Sequence, residues 1–318
     1  MIIISLVLLI VGFILLIKGA DWFVDGASSL AANFKVPKMI IALTIVAFGT
    51  SAPELAIGIN SMISGNYDML LGNVMGSNIA NILLILGMSS LFHNLVIKTN
   101  TVKKELPIVI LITTLLIVLM NDAWFDPGVI NALTRSDGVV ILLFFMVFVY
   151  YLIYTIRKGH HDDEVPKFKK LKSTILTVLG IAGIMVGSDL VVENATNIAT
   201  VLGISQKFIS LTIVAIGTSL PELVTSVVAA MKGEEDIAIG NVVGSSIFNI
   251  GCVLGLSIGL FGGIQTLTFS GIDLLMLILS AVLLFIAAAK DGKITHKEGT
   301  VYLILYAMYM VYLISYAM

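Results

Sequence analysis

Two short segments carry most of the residues able to do chemistry in an otherwise apolar chain. The first reads LTIVAFGTSAPEL and then GNVMGSNIANI; the second reads LTIVAIGTSLPEL and then GNVVGSSIFNI. Thr50 and Glu54 are four residues apart, so on a helix their hydroxyl and carboxylate share one face. Ser77 and Asn81 repeat that spacing, and the second segment offers the Ala215 carbonyl, Thr218, Glu222, Ser245 and Asn249. All of these are oxygen donors, and none is His or Cys. Such a set suits hard cations such as Ca²⁺ and Na⁺, whereas Zn²⁺ and copper favour nitrogen or sulfur. Two carboxylates balance one Ca²⁺, or hold two or more Na⁺.

The backbone around the motif points the same way. Pro53 cannot donate a hydrogen bond and clashes with the preceding turn, and Gly49 adds looseness, so the helix is expected to break around residues 47–51 and free carbonyl oxygens. Bare carbonyls at membrane depth are tolerated only against protein, water or a ligand. An acidic side chain at a helix centre costs about 2.5–3.5 kcal/mol, so it marks a pathway or a pair. The acidic residues left inside apolar runs are Asp21, Asp25, Glu54, Asp189, Glu193 and Glu222. Glu54 and Glu222 fall mid-run beside the breaks and are read as contacting cargo. Asp21 and Asp25, with Asp189 and Glu193, suit a hydrated helix face or a pair with Lys18. Asn73 and Asn241 read as helix caps, and Gly76 and Gly244 as points of close helix packing. Asn81 and Asn249 serve either as ligands or as interhelical hydrogen-bond glue. His160 and His161, beside three acidic residues, read as part of a solvated loop.

The elements that must hold these residues are membrane spans. The chain is 58% hydrophobic and 12% charged, with a mean hydropathy of +1.06; a soluble domain carries roughly a quarter charged residues. Apolar runs near bilayer length fall at 2–31, 39–63, 70–92, 105–121, 139–156, 173–200, 208–231, 237–262, 273–289 and 299–317. The expected fold is therefore an all-α membrane protein of ten transmembrane helices, with broken helices 2, 3, 7 and 8 in its core. The first run lacks a basic leader and a cleavage site, so it reads as a span and not a removable signal. The lone Cys252 excludes an internal disulfide. A net charge of −2 names no partner, and nothing resembles a nucleic-acid patch.

Residues 19–89 match residues 187–257 without a gap, and the matches are Gly, Thr, Ser, Pro, Glu and Asn, which a generic apolar span avoids. Five spans per copy is odd, so the second copy enters the membrane inverted. That gives an N-terminal repeat at 1–156, a linker at 157–172 and a C-terminal repeat at 173–318. Inverted repeats carry transporter sites at their interface near the midplane, and their symmetry supplies two near-equivalent states for alternating access. With the N-terminus outside, Lys35, Lys38, Lys98, Lys103, Lys104, Arg157, Lys158, Lys232, Lys290, Lys293, Lys297 and the lysines of 167–172 all face the cytoplasm, against Arg135 and Lys207 outside. Both termini are then extracytoplasmic in a cell (inner) membrane, and the linker is cytoplasmic.

GTSAPEL, GTSLPEL and the paired GNVxGS segments resemble the alpha repeats of the cation/Ca²⁺ exchanger superfamily, most closely the prokaryotic Na⁺/Ca²⁺ exchangers. The resemblance extends over the whole layout. It implies an antiporter, not an enzyme, with no cofactor, moving Na⁺ in and Ca²⁺ out, with the first and sixth spans sliding as a gate. It implies a central Ca²⁺ site at Thr50, Glu54, Thr218 and Glu222. Flanking Na⁺ sites would use Ala47 and Ser77 on one side, Ala215 and Ser245 on the other, with Asn81 and Asn249 between. Na⁺, Ca²⁺ and the bilayer are the implied partners, with no obligate protein partner. Many members carry aspartate where this chain has Asn249, so a potential third carboxylate is missing. Three other readings compete. An H⁺/Ca²⁺ or other divalent antiporter fits the same scaffold, and a channel would also use broken helices. An intramembrane protease lacks a base: His93, His160, His161 and His296 all fall in loops or at span ends.

Overall fold

A computed structural model of the chain describes residues 2–158, 165–203, 215–265 and 269–317. They form a helical bundle. Its elements are α1 (Ile2–Phe34), α2 (Lys38–Thr50), α3 (Ala52–Ile63), α4 (Tyr67–Phe92), α5 (Leu106–Leu119) and α6 (Arg135–Lys158), then α7 (Lys170–Val201), α8 (Ala215–Thr218), α9 (Leu220–Met231), α10 (Glu235–Phe261), α11 (Gly271–Asp291) and α12 (His296–Ala317). Seven of these helices are long and apolar enough to cross a bilayer unaided, or eight if α2 and α3 count as one bent span. The chain is thus a multi-pass, all-helical membrane protein. The exceptions are two antiparallel pairs of two-residue strands in the loops: β1 (Leu95–Val96) with β4 (Lys293–Ile294), and β2 (Ala132–Leu133) with β3 (Ile264–Gln265).

Burial sorts the helices. The apolar window of α10 is 94% buried, against 17% for α6 and α12. The polar motif helices thus occupy the middle, and the uniformly apolar helices form the wall. This is the arrangement expected when lipid is as good a solvent for Leu as another Leu.

The two long helices α1 and α7 lie against each other backbone to backbone. A Cβ built on Gly19 would meet Ile184 N at 2.7 Å and Gly180 O at 2.9 Å, and one on Gly180 would meet Phe23 N at 2.6 Å. One on Gly187 would meet Leu16 N at 2.6 Å and Gly12 O at 2.8 Å. Only glycine permits this approach. The α1 glycines stand seven apart at 12, 19 and 26, which keeps them on one stripe of the helix. At 33 residues, α1 is about 50 Å long, more than a hydrocarbon core of about 30 Å requires.

The expected interruptions differ between spans. The α2–α3 pair bends by 47° at Ser51, two residues before Pro53. Ser219 separates α8 from α9 with nearly the same dihedrals (φ −90°, ψ 5°, against −86° and 8°), again two residues before a proline. The third and eighth spans, expected to be broken, instead run without interruption as α4 and α10. Neither contains proline, so no backbone donor is lost. Each carries a π-helical segment, at Ala80–Leu86 and Asn249–Leu254. The lesson is that Gly and Asn alone widen a turn without stopping the helix.

The glycine contact generates a test. Gly180→Val drives two methyls into the α1 backbone and should cost at least about 1–3 kcal/mol, lowering the melting temperature in detergent. Gly72→Ala, where a Cβ meets nothing within 4 Å, should not lower it. Equal melting temperatures for the two variants would contradict the packing.

Candidate functional site

The two prolines do more than interrupt helices: they start new ones. Pro53 and Pro221 sit in the first turns of α3 and α9, where a missing N–H costs nothing. Glu54 and Glu222 occupy the same first turns, so each carboxylate lies at the positive end of a helix dipole. Both are buried, at 0% and 1% exposure, and Ser51, three residues before Glu54, touches Glu222 across the two motifs.

Around Glu222 the polar contacts are dense. Ser51 Oγ donates to Glu222 Oε1 at 2.9 Å, crossing from the first motif to the second. Thr50 Oγ1 donates to Asn241 Oδ1 at 3.0 Å and lies 3.4 Å from Ser245 Oγ. Asn241 Nδ2 in turn donates to Ser226 Oγ at 2.9 Å and reaches the Glu222 carbonyl at 3.4 Å. Asn73 Nδ2 makes the matching contact to the Glu54 carbonyl at 3.5 Å. Both asparagines were expected to cap helices. They sit inside α4 and α10, because those helices begin earlier, at Tyr67 and Glu235, with Asn66 capping the first. Their side chains bridge neighbouring core helices instead.

Other buried polar atoms have no hydrogen-bond partner among the described residues. They include both oxygens of Glu54, Oε2 of Glu222, both amide atoms of Asn81 and Oδ1 of Asn249. Asn249 Nδ2 reaches Asn78 Oδ1 at 3.5 Å, and Asn78 Nδ2 donates to the Ser246 carbonyl at 3.3 Å. A buried carboxylate oxygen without a donor is costly, and a set of such oxygens is what a desolvated cation requires. No three of His, Cys, Asp and Glu come together among the described residues. A cation here would therefore take hydroxyl, amide and carbonyl oxygens besides the two carboxylates.

The structure thus brings Thr50, Glu222 and Ser245 into one contact network, with Glu54 alongside. Ser77, Asn81 and Asn249 are all buried on α4 and α10. Thr218 ends α8 immediately before the break, and Ala215 lies on the same helix. The Ala47 carbonyl is not left bare as the sequence suggested: it accepts the Ser51 N–H at 3.0 Å, and the Thr50 hydroxyl oxygen lies 3.3 Å away. The reason is that the break falls later, at Ser51. The carbonyls that lose a donor are those four residues before each proline, Gly49 and Gly217. Gly217 O is capped by Ser188 Oγ at 3.1 Å; the matching position in the first copy is Ala20, which has no hydroxyl.

The remaining acidic residues lie elsewhere. Asp21 pairs with Lys232 at 2.6 Å, and Asp25 with Lys232 at 3.0 Å and Lys167 at 2.9 Å. These partners replace the expected Lys18, because the end of α9 folds back beside α1. Asp189 and Glu193 are exposed on α7. Gly244 does permit close packing, since a Cβ there would meet Ala47 Cβ at 2.7 Å, but Gly76 does not serve that role, since a Cβ there would meet nothing within 4 Å. His160 and His161 lie outside the described residues. Sequence reasoning missed Ser51, Asn78 and the bridging role of Asn241. Their signal was present as the serine and asparagines inside the duplicated motifs.

Residues 4–154 and 172–315 match the family described as sodium/calcium exchanger protein. The chain is 36% identical to the putative antiporter CaxA of Alkalimonas amylolytica, over 98% of this chain and 99% of that protein. It is 31% identical to the sodium/calcium exchanger MaX1 of Methanosarcina acetivorans, again over 98% and 99%. Among solved structures, the sodium-calcium exchanger NCX_Mj soaked with zero Na⁺ and Ca²⁺ is similar at a TM-score of 0.84 and 33% identity, covering 98% of this chain and 100% of that one.

The two serines at the breaks are used unequally, since Ser219 Oγ has no hydrogen-bond partner among the described residues. Ser51→Ala, which removes a hydrogen bond to a charged group, should destabilise the protein by about 1.5–3 kcal/mol, and Ser219→Ala by clearly less. Thermal melting in one detergent compares them; equal losses would contradict the Ser51–Glu222 contact.

Proposed function

The chain belongs to the sodium/calcium exchanger family, and from that premise we propose that it is a secondary antiporter in which Na⁺ entry drives Ca²⁺ efflux by alternating access. Its central Ca²⁺ site uses Thr50, Glu54, Thr218 and Glu222. Na⁺ is held at flanking positions by Ala47 and Ser77, and by Ala215 and Ser245, with Asn81 and Asn249 between. The observation that carries this reading is the pair of buried carboxylates, supplied by equivalent positions of a duplicated motif and left with oxygens unpartnered among the described residues. Their combined charge matches one Ca²⁺, and every other group at hand is a neutral oxygen donor of the kind Ca²⁺ and Na⁺ prefer.

The chain works as two inverted five-span halves, 1–156 and 173–318, joined by the cytoplasmic linker 157–172, with both termini outside the cytoplasm in the cell membrane. Reciprocal contacts support this symmetry. Gly12 and Gly180 are equivalent positions, as are Gly19 and Gly187; Gly12 meets Gly187, and Gly19 meets Gly180. Asn78 and Ser246 are also equivalent, 168 residues apart, and touch each other. When residue i of one copy meets j of the other, and j meets i, the copies are related by a two-fold axis. The loop strands follow the same exchange: β1, after the third span, pairs in the last loop of the second half, and β3, after the eighth, in the last loop of the first. Ten spans are reached by adding α5 and the α8–α9 segment to the eight long enough by themselves.

Removing one partner of a buried charged set costs about 3–5 kcal/mol. Glu54→Gln or Glu222→Gln should therefore lower Ca²⁺ affinity by roughly two to three orders of magnitude and abolish Ca²⁺ flux in reconstituted vesicles, while the protein still inserts and elutes as wild type. Wild-type flux in either variant would remove the site assignment. In the wild type, replacing external Na⁺ with choline should stop Ca²⁺ release from loaded vesicles. Release that persists and follows a pH gradient would instead assign H⁺ as the counter-ion.

A further inference from the structure

A cavity of about 540 Å³ shares no lining residue with the glutamate cluster. It lies between the start of α2, the π-helical turn Thr101–Glu105 that leads into α5, and the last turns of α6. Its inner wall is apolar, formed by Met39, Ile40 and Ile108. Three lysines, Lys98, Lys104 and Lys158, also line it. One of these charges is partly spent, since Lys98 pairs with Asp236 at 2.7 Å. Lys104 lies 5.9 Å from the centre of the Tyr151 ring, and Lys158 is exposed at the end of α6.

One acidic group also faces this space. Glu105 is 3% exposed and accepts a hydrogen bond from the Tyr151 hydroxyl through one oxygen. Its other oxygen, Oε2, is buried and has no donor among the described residues. An occupant must then offer both a negative charge to the lysines and a hydrogen-bond donor to a buried carboxylate oxygen. A bare cation fails the first requirement, and a plain phosphate diester the second.

Position narrows the class further. The cavity lies where α6 ends in Arg157 and Lys158 and where α5 begins, the depth of lipid phosphates. Helix α6 is a wall helix, with most of its length turned outward, and Tyr154 stands 53% exposed beside the opening. Tyr at this level marks the membrane interface, and basic pockets between spans at this level bind acidic lipid head groups. We propose that this cavity holds the head group of an anionic phospholipid bearing a hydroxyl, such as phosphatidylglycerol, with Lys104 and Lys158 on the phosphate and Glu105 accepting from the hydroxyl. The inference rests on the chain being embedded in a membrane, and not on the exchange reading.

Lipid retention by the full-length protein, measured by native mass spectrometry, tests it without any transport assay. From a mixed bilayer the wild type should keep phosphatidylglycerol in preference to phosphatidylcholine. It should also prefer it to an anionic phospholipid of equal charge whose head group has no hydroxyl. Lys104→Gln with Lys158→Gln should weaken phosphatidylglycerol retention by roughly thirtyfold. Lys290→Gln with Lys293→Gln, in the last turn of α11 and on β4, should leave it unchanged. Unchanged retention in the first double variant, or equal retention of all three lipids by the wild type, would overturn the proposal. Glycerol phosphate displacing the lipid in solution would overturn it too, making the occupant a soluble anion. Lys104, Lys158 and Lys290 are exposed and Lys293 is half-buried, and unaltered melting temperatures of both double variants show that a lost lipid is not a lost fold.

Discussion

Two carboxylates held out of water within reach of each other set the terms for the rest of this molecule. Each costs about 2.5–3.5 kcal/mol at the centre of a span, and their mutual repulsion adds to that. The fold responds first with backbone. By breaking at Ser51 and Ser219, the second and seventh spans create helix N-termini in mid-span, and Glu54 and Glu222 sit in those first turns. A helix N-terminus returns up to about 2 kcal/mol in buried geometry, which offsets only part of the cost. The remainder would be offset by a cation held between the two groups, as in the proposed site.

The symmetry of the motif is not matched by symmetry of use. Ser51 donates to Glu222, whereas Ser219 Oγ has no partner among the described residues and both Glu54 oxygens lack donors. The carbonyl freed by Pro221 is capped by Ser188, whereas Ala20, which has no hydroxyl, stands at the equivalent position of the first copy. The two halves therefore share a backbone plan but present different polarity to the same cargo. The glycine-lined seam between α1 and α7 belongs to the same plan. There Leu16 and Phe23 of α1 sit directly against Gly187 and Gly180 of α7, so the contact fixes one register of the two helices.

Much of this was legible in the sequence, because membrane depth makes each polar residue expensive and so meaningful. The repeat, the two glutamates and the proline breaks in the second and seventh spans were all readable from residue type and spacing. What escaped required knowing which helix faces which. Asn241 looked like a cap because the start of α10 could not be placed, and its bridge from Thr50 to Ser226 is a tertiary fact. Lys232 and Lys167 could not be matched to Asp21 and Asp25 from spacing, since they lie on distant segments. The third and eighth spans were expected to be broken like the second and seventh, but they carry Gly and Asn and no Pro. The outcome shows that a missing N–H, and not mere looseness, is what stops a helix here.

The central claim is that Glu54 and Glu222 hold one divalent cation between them. Crystals grown with a heavier alkaline-earth ion in place of Ca²⁺ test it most directly through anomalous scattering. A single strong peak within coordination distance of both carboxylates is the predicted result. A protein that binds the ion with its only peak elsewhere, leaving both glutamates untouched, would contradict it.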